Sequence, residues 1–321
     1  MKILKTKLVN FFFLLLVTSS LFSQTTSKNN EESYFKASGS FLNNQVFMGR
    51  QDSATLTPYL TPNIGFYHKS GLFINGGLSY ITNGNSRVDL FAIQGGYDFD
   101  ITQKLSGVIL AEKDFYNSNS TAIRSSIKGY ESNSLSYDFD WIQVNGGLDV
   151  LFGNKNDIAL NVGLSHEFNI DTKEKESELK IVPEISANMS SLNYYEGYTN
   201  IRIKKGKRKN NPSISTIVTT TVLKNGINAD KISLLDYELT APITYDSKKW
   251  GAYFTPTIAK PLNSIYTNTI ISTSITTTKK VNGQTITIVT PQPTVIEDST
   301  PPEEINLKSK LYFEVGVYIK F

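Results

Sequence analysis

The sequence predicts an all-β fold: a transmembrane, antiparallel, up-and-down β-barrel of about twelve strands (roughly ten to fourteen). Three observations carry this. Apolar and polar residues alternate at period two through most of the chain, which gives a strand one oily face and one wet face. No segment sustains an apolar stripe at i, i+3, i+4, i+7, and after residue 23 no apolar run is long enough for a membrane-crossing helix. The 17 Tyr, 18 Phe and 21 Gly suit strands with aromatic girdles and suit helices poorly. A mean hydropathy of −0.22 reads as soluble, but faces of opposite polarity cancel in such an average.

The strands follow in order. Apolar residues share odd parity at Phe35, Ala37, Gly39 and Phe41, and even parity at Leu60, Pro62, Ile64 and Phe66. Leu72, Ile74, Leu78 and Tyr80 come next, then Phe91, Ile93, Tyr97 and Phe99, then a weaker alternation over 104–112. The pattern sharpens over 141–152, 158–168 and 179–187, and a further strand is expected over 192–203. Leu235 to Tyr245 and Trp250 to Ile258 alternate cleanly, and 307–321 closes the chain with Leu311, Phe313, Val315, Val317, Ile319 and Phe321 on one face. A soluble β-sandwich also alternates, but its strands are usually about five or six residues long. Here the stripes run to the length that crosses a bilayer at a tilt. Pro62, Pro183, Pro242, Pro256 and Pro261 stand in or beside these stripes and mark strand ends or bulges, because proline donates no ladder hydrogen bond.

Short connectors are expected near 69, 102, 155, 188 and 247, and longer ones near 50, 84, 120, 174, 215 and 285. Barrels of this kind put short turns in the periplasm and long loops outside. The outer loops are therefore expected at about 43–57, 115–135, 169–178, 204–230 and 263–306.

Lys2, Lys5 and Lys7 precede an apolar core, Phe11 to Val17, and small residues at Thr18, Ser19, Ser20 and Ser23. This is the layout of a cleaved signal peptide over 1–23, followed by a linker over 24–33 and a barrel over 34–321. Discarding its three lysines leaves 29 basic and 29 acidic residues, so the mature chain has no bulk charge to attract nucleic acid. With no cysteine, disulfides and thiol chemistry are excluded.

The last eight residues, Glu314-Val315-Gly316-Val317-Tyr318-Ile319-Lys320-Phe321, resemble the C-terminal signal of bacterial outer-membrane β-barrel proteins. That signal runs polar, any, Gly, any, any, apolar, any, apolar, and Glu314, Gly316, Ile319 and Phe321 fill its defined slots. The resemblance implies a Gram-negative outer-membrane location reached by secretion across the inner membrane. It also implies lipid and lipopolysaccharide around the barrel, and recognition of the last strand by the barrel assembly machinery.

Catalytic signals are poor. The chain has two histidines. His68 falls at a predicted periplasmic turn, and His166 shares parity with Leu164 and Phe168 near the expected outer rim. Ser165-His166-Glu167 cannot form a relay, because neighbours in a strand point to opposite faces. No phosphate loop, zinc spacing or nucleotide fingerprint is present, and no cofactor is expected. The candidate lumen lining is Asp149, Glu167, Lys180, Glu184, Asp236 and Glu238, with Asp236 and Glu238 on one face as paired carboxylates. The basic run 204–209 would meet lipopolysaccharide or an acidic ligand. Val281-Asn282-Gly283-Gln284 and Lys224-Asn225-Gly226-Ile227 are hairpin signals for outer ribbons, whereas 291–302 is too proline-rich for sheet. The function expected is a non-enzymatic, porin-like channel for a small solute. The alternatives are a structural or surface-binding barrel acting through its loops and, with least support, a membrane-embedded hydrolase.

Overall fold

The computed structural model describes residues 32–321 except 52–55, 84–85, 121, 171, 173–176, 198–213, 225–226, 229, 263–264, 282–283, 292–294 and 300–306. Twelve strands form the wall. They are β1 (Tyr34–Leu42), β2 (Tyr59–Tyr67), β3 (Leu72–Ile81), β4 (Arg87–Asp100), β5 (Leu105–Tyr116), β6 (Gly129–Asp138) and β7 (Gln143–Phe152). β8 (Asp157–Ser165, continuing as Phe168–Ile170), β9 (Ser177–Ile181 and Glu184–Ser190) and β10 (Ser233–Thr240 and Ile243–Ser247) are each interrupted once. β11 (Trp250–Pro261) and β12 (Lys310–Lys320) complete the set. Each strand pairs antiparallel with its predecessor, and β12 returns to β1 from Lys36↔Lys320 to Leu42↔Glu314, so the wall is closed and has no edge.

The alternation read from the sequence becomes geometry. Leu72, Ile74, Ile185, Leu311, Val317 and Ile319 are each more than half exposed, whereas their strand neighbours point inward and are buried or half-buried. An apolar skin this continuous is what a bilayer, not water, covers. Aromatic residues rim the end that holds both Tyr34 and Phe321: Phe35 stacks on Phe321, Tyr245 lies on Trp250, and Tyr137 packs on Phe139 at 4.5 Å. This terminus end also carries the connectors 68–71, 101–104, 139–142 and 248–249 and the strand ends Ile170 and Ser177, and the opposite end is the mouth.

The strand count matches the expectation, but two of its members differ. Gly129–Asp138 is a strand, although it lies partly in the loop expected at 115–135. Its outward residues are Glu131, Asn133, Leu135 and Tyr137, so half of its outer face is polar and no apolar stripe announces it. Residues 193–197, expected to be strand, form a helical turn at the mouth. The exchange inverts the strands between. The 153–156 turn lies at the mouth, whereas the strand ends Ile170 and Ser177 stand at the terminus end, so the loop expected at 169–178 does not begin or end at the mouth and His166 stands near the terminus rim. There His166 Nδ1 meets the Trp141 carbonyl at 2.6 Å and its ring meets Phe168 edge-on.

Prolines explain the interruptions of β9 and β10. Val182-Pro183 breaks β9, Ala241-Pro242 breaks β10, and His166-Glu167 breaks β8 at the same level, yet the register is kept on both sides. Pro256 stands where β11 passes from one half of β10 to the other. Missing N–H donors at Pro183, Pro242 and Pro256 thus line up across three neighbouring strands, and β8 is interrupted beside them, where the His166 amide donates to the Pro183 carbonyl at 3.2 Å. Pro62 lies within β2, where pairing to β3 lapses between Leu60 and Asn63. Beyond the mouth, Ile214–Lys224, Ile265–Val281 and Gln284–Pro291 build the expected ribbons. Val295–Ser299 joins them, so sheet forms between the prolines of 291–302 after all. The signal segment, the basic run 204–209 and the turn residues 282–283 lie outside the described residues.

Candidate functional site

The apolar core of this molecule is in the mouth of the barrel, and loops supply much of it. Val46–Phe47 and Arg50–Gln51 pair as a minimal hairpin, with Met48 (φ 49) and Gly49 (φ 73) in the left-handed conformations a two-residue turn demands. The turn reaches past β12 to β11 and β10. A Cβ on Gly49 would lie 2.9 Å from Asp236 Cβ on β10 and 3.2 Å from Pro261 Cα on β11, so only glycine permits the approach. Phe47 meets Tyr194 edge-on at 5.2 Å. Met48, Ile123 and Ile127 from two loops pack with Leu192 and Tyr194 from a third, against Tyr130, Leu151, Ala159 and Leu235 of the wall.

Polar latches hold these loops. Asp157, the first residue of β8, accepts from Ser191 Oγ (2.6 Å) and the Asn193 amide (2.7 Å) through one oxygen. Its other oxygen accepts from the Tyr194 amide at 2.7 Å. The carboxylate therefore caps the start of the 193–197 turn. Ser126 Oγ donates to the Tyr194 carbonyl at 2.6 Å, and Lys155 pairs with Glu196 at 2.8 Å.

Two guanidinium groups lie inside the plug. Arg124, from the short 3-10 helix Ile123–Ser126, stands 5.3 Å from the centres of both the Phe47 and Tyr130 rings. Burial disfavours its charge, but Tyr116, Asp114, Tyr130 and Glu112 outweigh that and raise its pKa above the ordinary guanidinium value. Arg50 is buried, donates to the Met48 carbonyl at 2.9 Å, and faces Tyr194, Tyr195 and Asp236. Burial lowers its pKa against those neighbours. Neither carboxylate oxygen of Asp114 accepts a hydrogen bond from a described group. Asp89 accepts from Ser120 at 2.7 Å and Tyr59 at 3.1 Å and pairs with Arg87 at 3.1 Å. It borders a cavity of about 70 Å³ lined also by Leu42, Gln45, Thr61 and Tyr116.

Below the plug the inner wall is polar and cross-linked by hydrogen bonds. Tyr67 donates to Asn75, Asn75 to Gln94, and Gln94 to Glu112, which also accepts from Tyr130. On the far wall Asn145 donates to Ser165 and Glu184, both at 3.0 Å. Inward residues here, such as Ser38, Asn63, Ser136 and Asn145, are half-buried, whereas those level with the plug, such as Asp114, Ser132, Asn188 and Asp236, are buried.

All six predicted lining residues have inward parity. The structure brings Asp236 and Glu238 together beneath the hairpin tip, with Tyr312 donating to Glu238 at 3.4 Å. It joins Lys180 to Glu167 at 3.3 Å and to Glu178 at 3.0 Å near the terminus end. Asp149 and Glu184 stay apart from both groups, on β7 and β9. Sequence reasoning missed Asp89, Glu112 and Asp114, whose strands alternate weakly at that level, although their parity was readable. It also missed Arg50 and Arg124, because nothing local tells a loop to fold inward. Of the terminal residues, Glu314 accepts from Tyr253 at 2.8 Å, Gly316 is covered by the Tyr253 ring, and Ile319 and Phe321 point outward.

No family model and no curated protein matches the chain. Among solved structures it is similar to a KdgM porin, at 9% identity and a TM-score of 0.37 over 90% of this chain and 99% of that one. It is also similar to a bacterial polysaccharide outer membrane secretin (6%, 0.38, 91% and 99%) and to Salmonella typhi OmpF (9%, 0.30, 90% and 97%). The assignment of a closed twelve-stranded barrel rests on the strand pairing of this chain itself.

Proposed function

We propose that this chain is an outer-membrane barrel that passes small polar solutes and whose mouth is occluded by its own loops. The observation that carries the reading is the division of the lumen. A polar, half-accessible wall at the terminus end leads to a plug built by Phe47, Met48, Arg124 and Tyr194 at the mouth. A twelve-stranded wall is wider than the eight-stranded barrels that side chains fill and narrower than open sixteen-stranded porins, so loops decide conduction. The inward carboxylates Asp89, Glu112, Asp114 and Asp236 face Arg50, Arg87 and Arg124, and Glu238 lies beside Asp236. That balance favours cationic or neutral solutes over anions. The signal peptide, the assembly role of Glu314, Gly316, Ile319 and Phe321, and contact with lipopolysaccharide belong to the same reading.

Planar-bilayer recording tests it. The intact protein should give small, infrequent conductance steps, and a variant with Val46–Gln51 replaced by Gly and Ser should give larger ones with a preference for cations. Absence of any step from either protein, with β-structure verified by circular dichroism, overturns the channel reading. A second reading is favoured by the sheet beyond the mouth, where Ile265–Val281 pairs with three partners. Such a surface would bind a partner outside the cell. Deleting 264–303 should then abolish surface attachment and leave the barrel folded.

A further inference from the structure

We infer that two copies of this barrel associate side by side in the membrane along the seam between β5 and β6. The inference rests on the membrane reading, because it needs the outer face to meet lipid. Among the described residues, the outward positions of the other strands are apolar residues or glycine between the rims. At the mouth rim, Lys260 donates to the Leu307 carbonyl at 3.1 Å. The β5–β6 seam differs. Lys113 and Glu131 are exposed there and Asn133 stands beside them. No described group forms a hydrogen bond or ion pair with any of the three, and Lys113 only approaches the Phe115 ring, at 5.7 Å.

Their depth makes this costly in a lone barrel. Tyr137 and Phe139 mark the terminus rim of β6. At ~3.3 Å rise and ~40° tilt, Asn133 stands roughly 10 Å and Glu131 roughly 15 Å above Tyr137 along the membrane normal. Leu105 pairs with Tyr137, which puts Lys113 roughly 20 Å and Phe115 roughly 25 Å up. The apolar band of such barrels is about 25 Å tall, so Phe115 marks its far edge and all three polar side chains fall within it.

A second copy satisfies them, and symmetry fixes how. Oligomers in a membrane are related by an axis along its normal, so each residue meets surfaces at its own depth. An axis through β6 would set Glu131 against the partner's Glu131. Moved to the seam, where Ala111 pairs with Glu131, the axis sets Lys113 opposite the partner's Glu131 twice over, by reciprocity. The height step of about 5 Å is one that the flexible four-carbon lysine stem spans. Asn133 is covered by the same contact. Lipid headgroups are the rival occupant, but from the far edge of the band they reach Lys113 only and leave Glu131 in hydrocarbon.

Single thiols test this in a chain without cysteine. The full chain is refolded into vesicles at low protein-to-lipid ratio and treated with a short bismaleimide. Ala111→Cys should cross-link into dimers at least tenfold more than Ile258→Cys on the opposite wall. Adding Glu131→Gln should weaken the dimer, adding Glu131→Lys should abolish it, and Lys113→Glu with Glu131→Lys should restore it. Equal cross-linking at both positions overturns the proposal, as does a charge swap that restores nothing. If the swap does not fold, an undiminished dimer in Glu131→Gln overturns it too. Failure of the wild-type chain to insert sinks the membrane reading itself, whereas insertion as a monomer sinks the interface alone.

Discussion

Tyr253 lies over Gly316 on the neighbouring strand, and Tyr318 lies over Gly251 in the reciprocal arrangement two residues away. Glycine within a strand is costly in entropy and leaves a hole, and a cross-strand aromatic ring fills it. A Cβ on Gly316 would enter the Tyr253 ring. Gly316→Ala should therefore destabilise the barrel by about 1–3 kcal/mol through overpacking. Adding Tyr253→Ala should recover much of the loss, because the methyl then has room. Urea midpoints in micelles measure this, and strictly additive effects of the two changes contradict the packing role. Phe321 is different. Its backbone exchanges both hydrogen bonds with Phe35, which its side chain does not influence, and its ring is mostly exposed. Phe321→Ala should leave the midpoint nearly unchanged. If the proposed assembly role holds, it should lower the amount of protein in the outer membrane, and normal membrane levels would count against that role.

Elements were legible where one face is uniformly apolar. β12, β11 and β7 to β9 declared themselves by alternation, because lipid selects the outer parity of a strand and water the inner. β6 did not, since Glu131 and Asn133 occupy outward positions and Ser132, Ser134 and Ser136 inward ones. The mouth loops were illegible for another reason. Their fold is set by contacts such as Gly49 on Asp236, made between residues far apart in sequence. The latch at Asp157 shows the dependence: one carboxylate at the start of β8 holds the Ser191, Asn193 and Tyr194 donors of a distant loop. Asp157→Ala should release that loop, costing about 2 kcal/mol of local stability since the bonds are charge-assisted. Cleavage between residues 191 and 197 under limited proteolysis should rise roughly thirtyfold, with the barrel's melting temperature little changed. Equal cleavage rates in both proteins would mean that the apolar contacts of Leu192 and Tyr194 hold the loop without the latch.

The whole molecule depends on one pairing that no local signal reports, that of the first strand with the last. Closure removes both edges of a twelve-stranded sheet, so no strand of the wall turns a row of unpaired backbone groups to the hydrocarbon. At this junction Phe35 and Phe321 exchange hydrogen bonds at 2.8 and 2.9 Å. In an antiparallel ladder the next pair, Lys36↔Lys320, is then a non-hydrogen-bonded one, with Cα atoms about 4.5 Å apart. That separation suits a disulfide. The two lysines avoid each other by different partners: Lys36 lies 4.1 Å above the Tyr318 ring, and Lys320 reaches Asp246 at 2.8 Å. Replacing both with cysteine removes two like charges and links residues at opposite ends of the described chain. In the folded protein, mild oxidation of Lys36→Cys/Lys320→Cys should close the bond nearly completely, and the denatured product should run faster on a gel until reduced. A pair placed across the lumen, Ser38→Cys with Ser134→Cys, should not close. Loss of the Asp246 contact lowers stability independently, so mobility and not the melting temperature is the measure. Thiols that stay free at 36 and 320 in a β-rich, membrane-inserted protein would mean an open sheet, and with it an exposed edge that the strand pairing described here does not have.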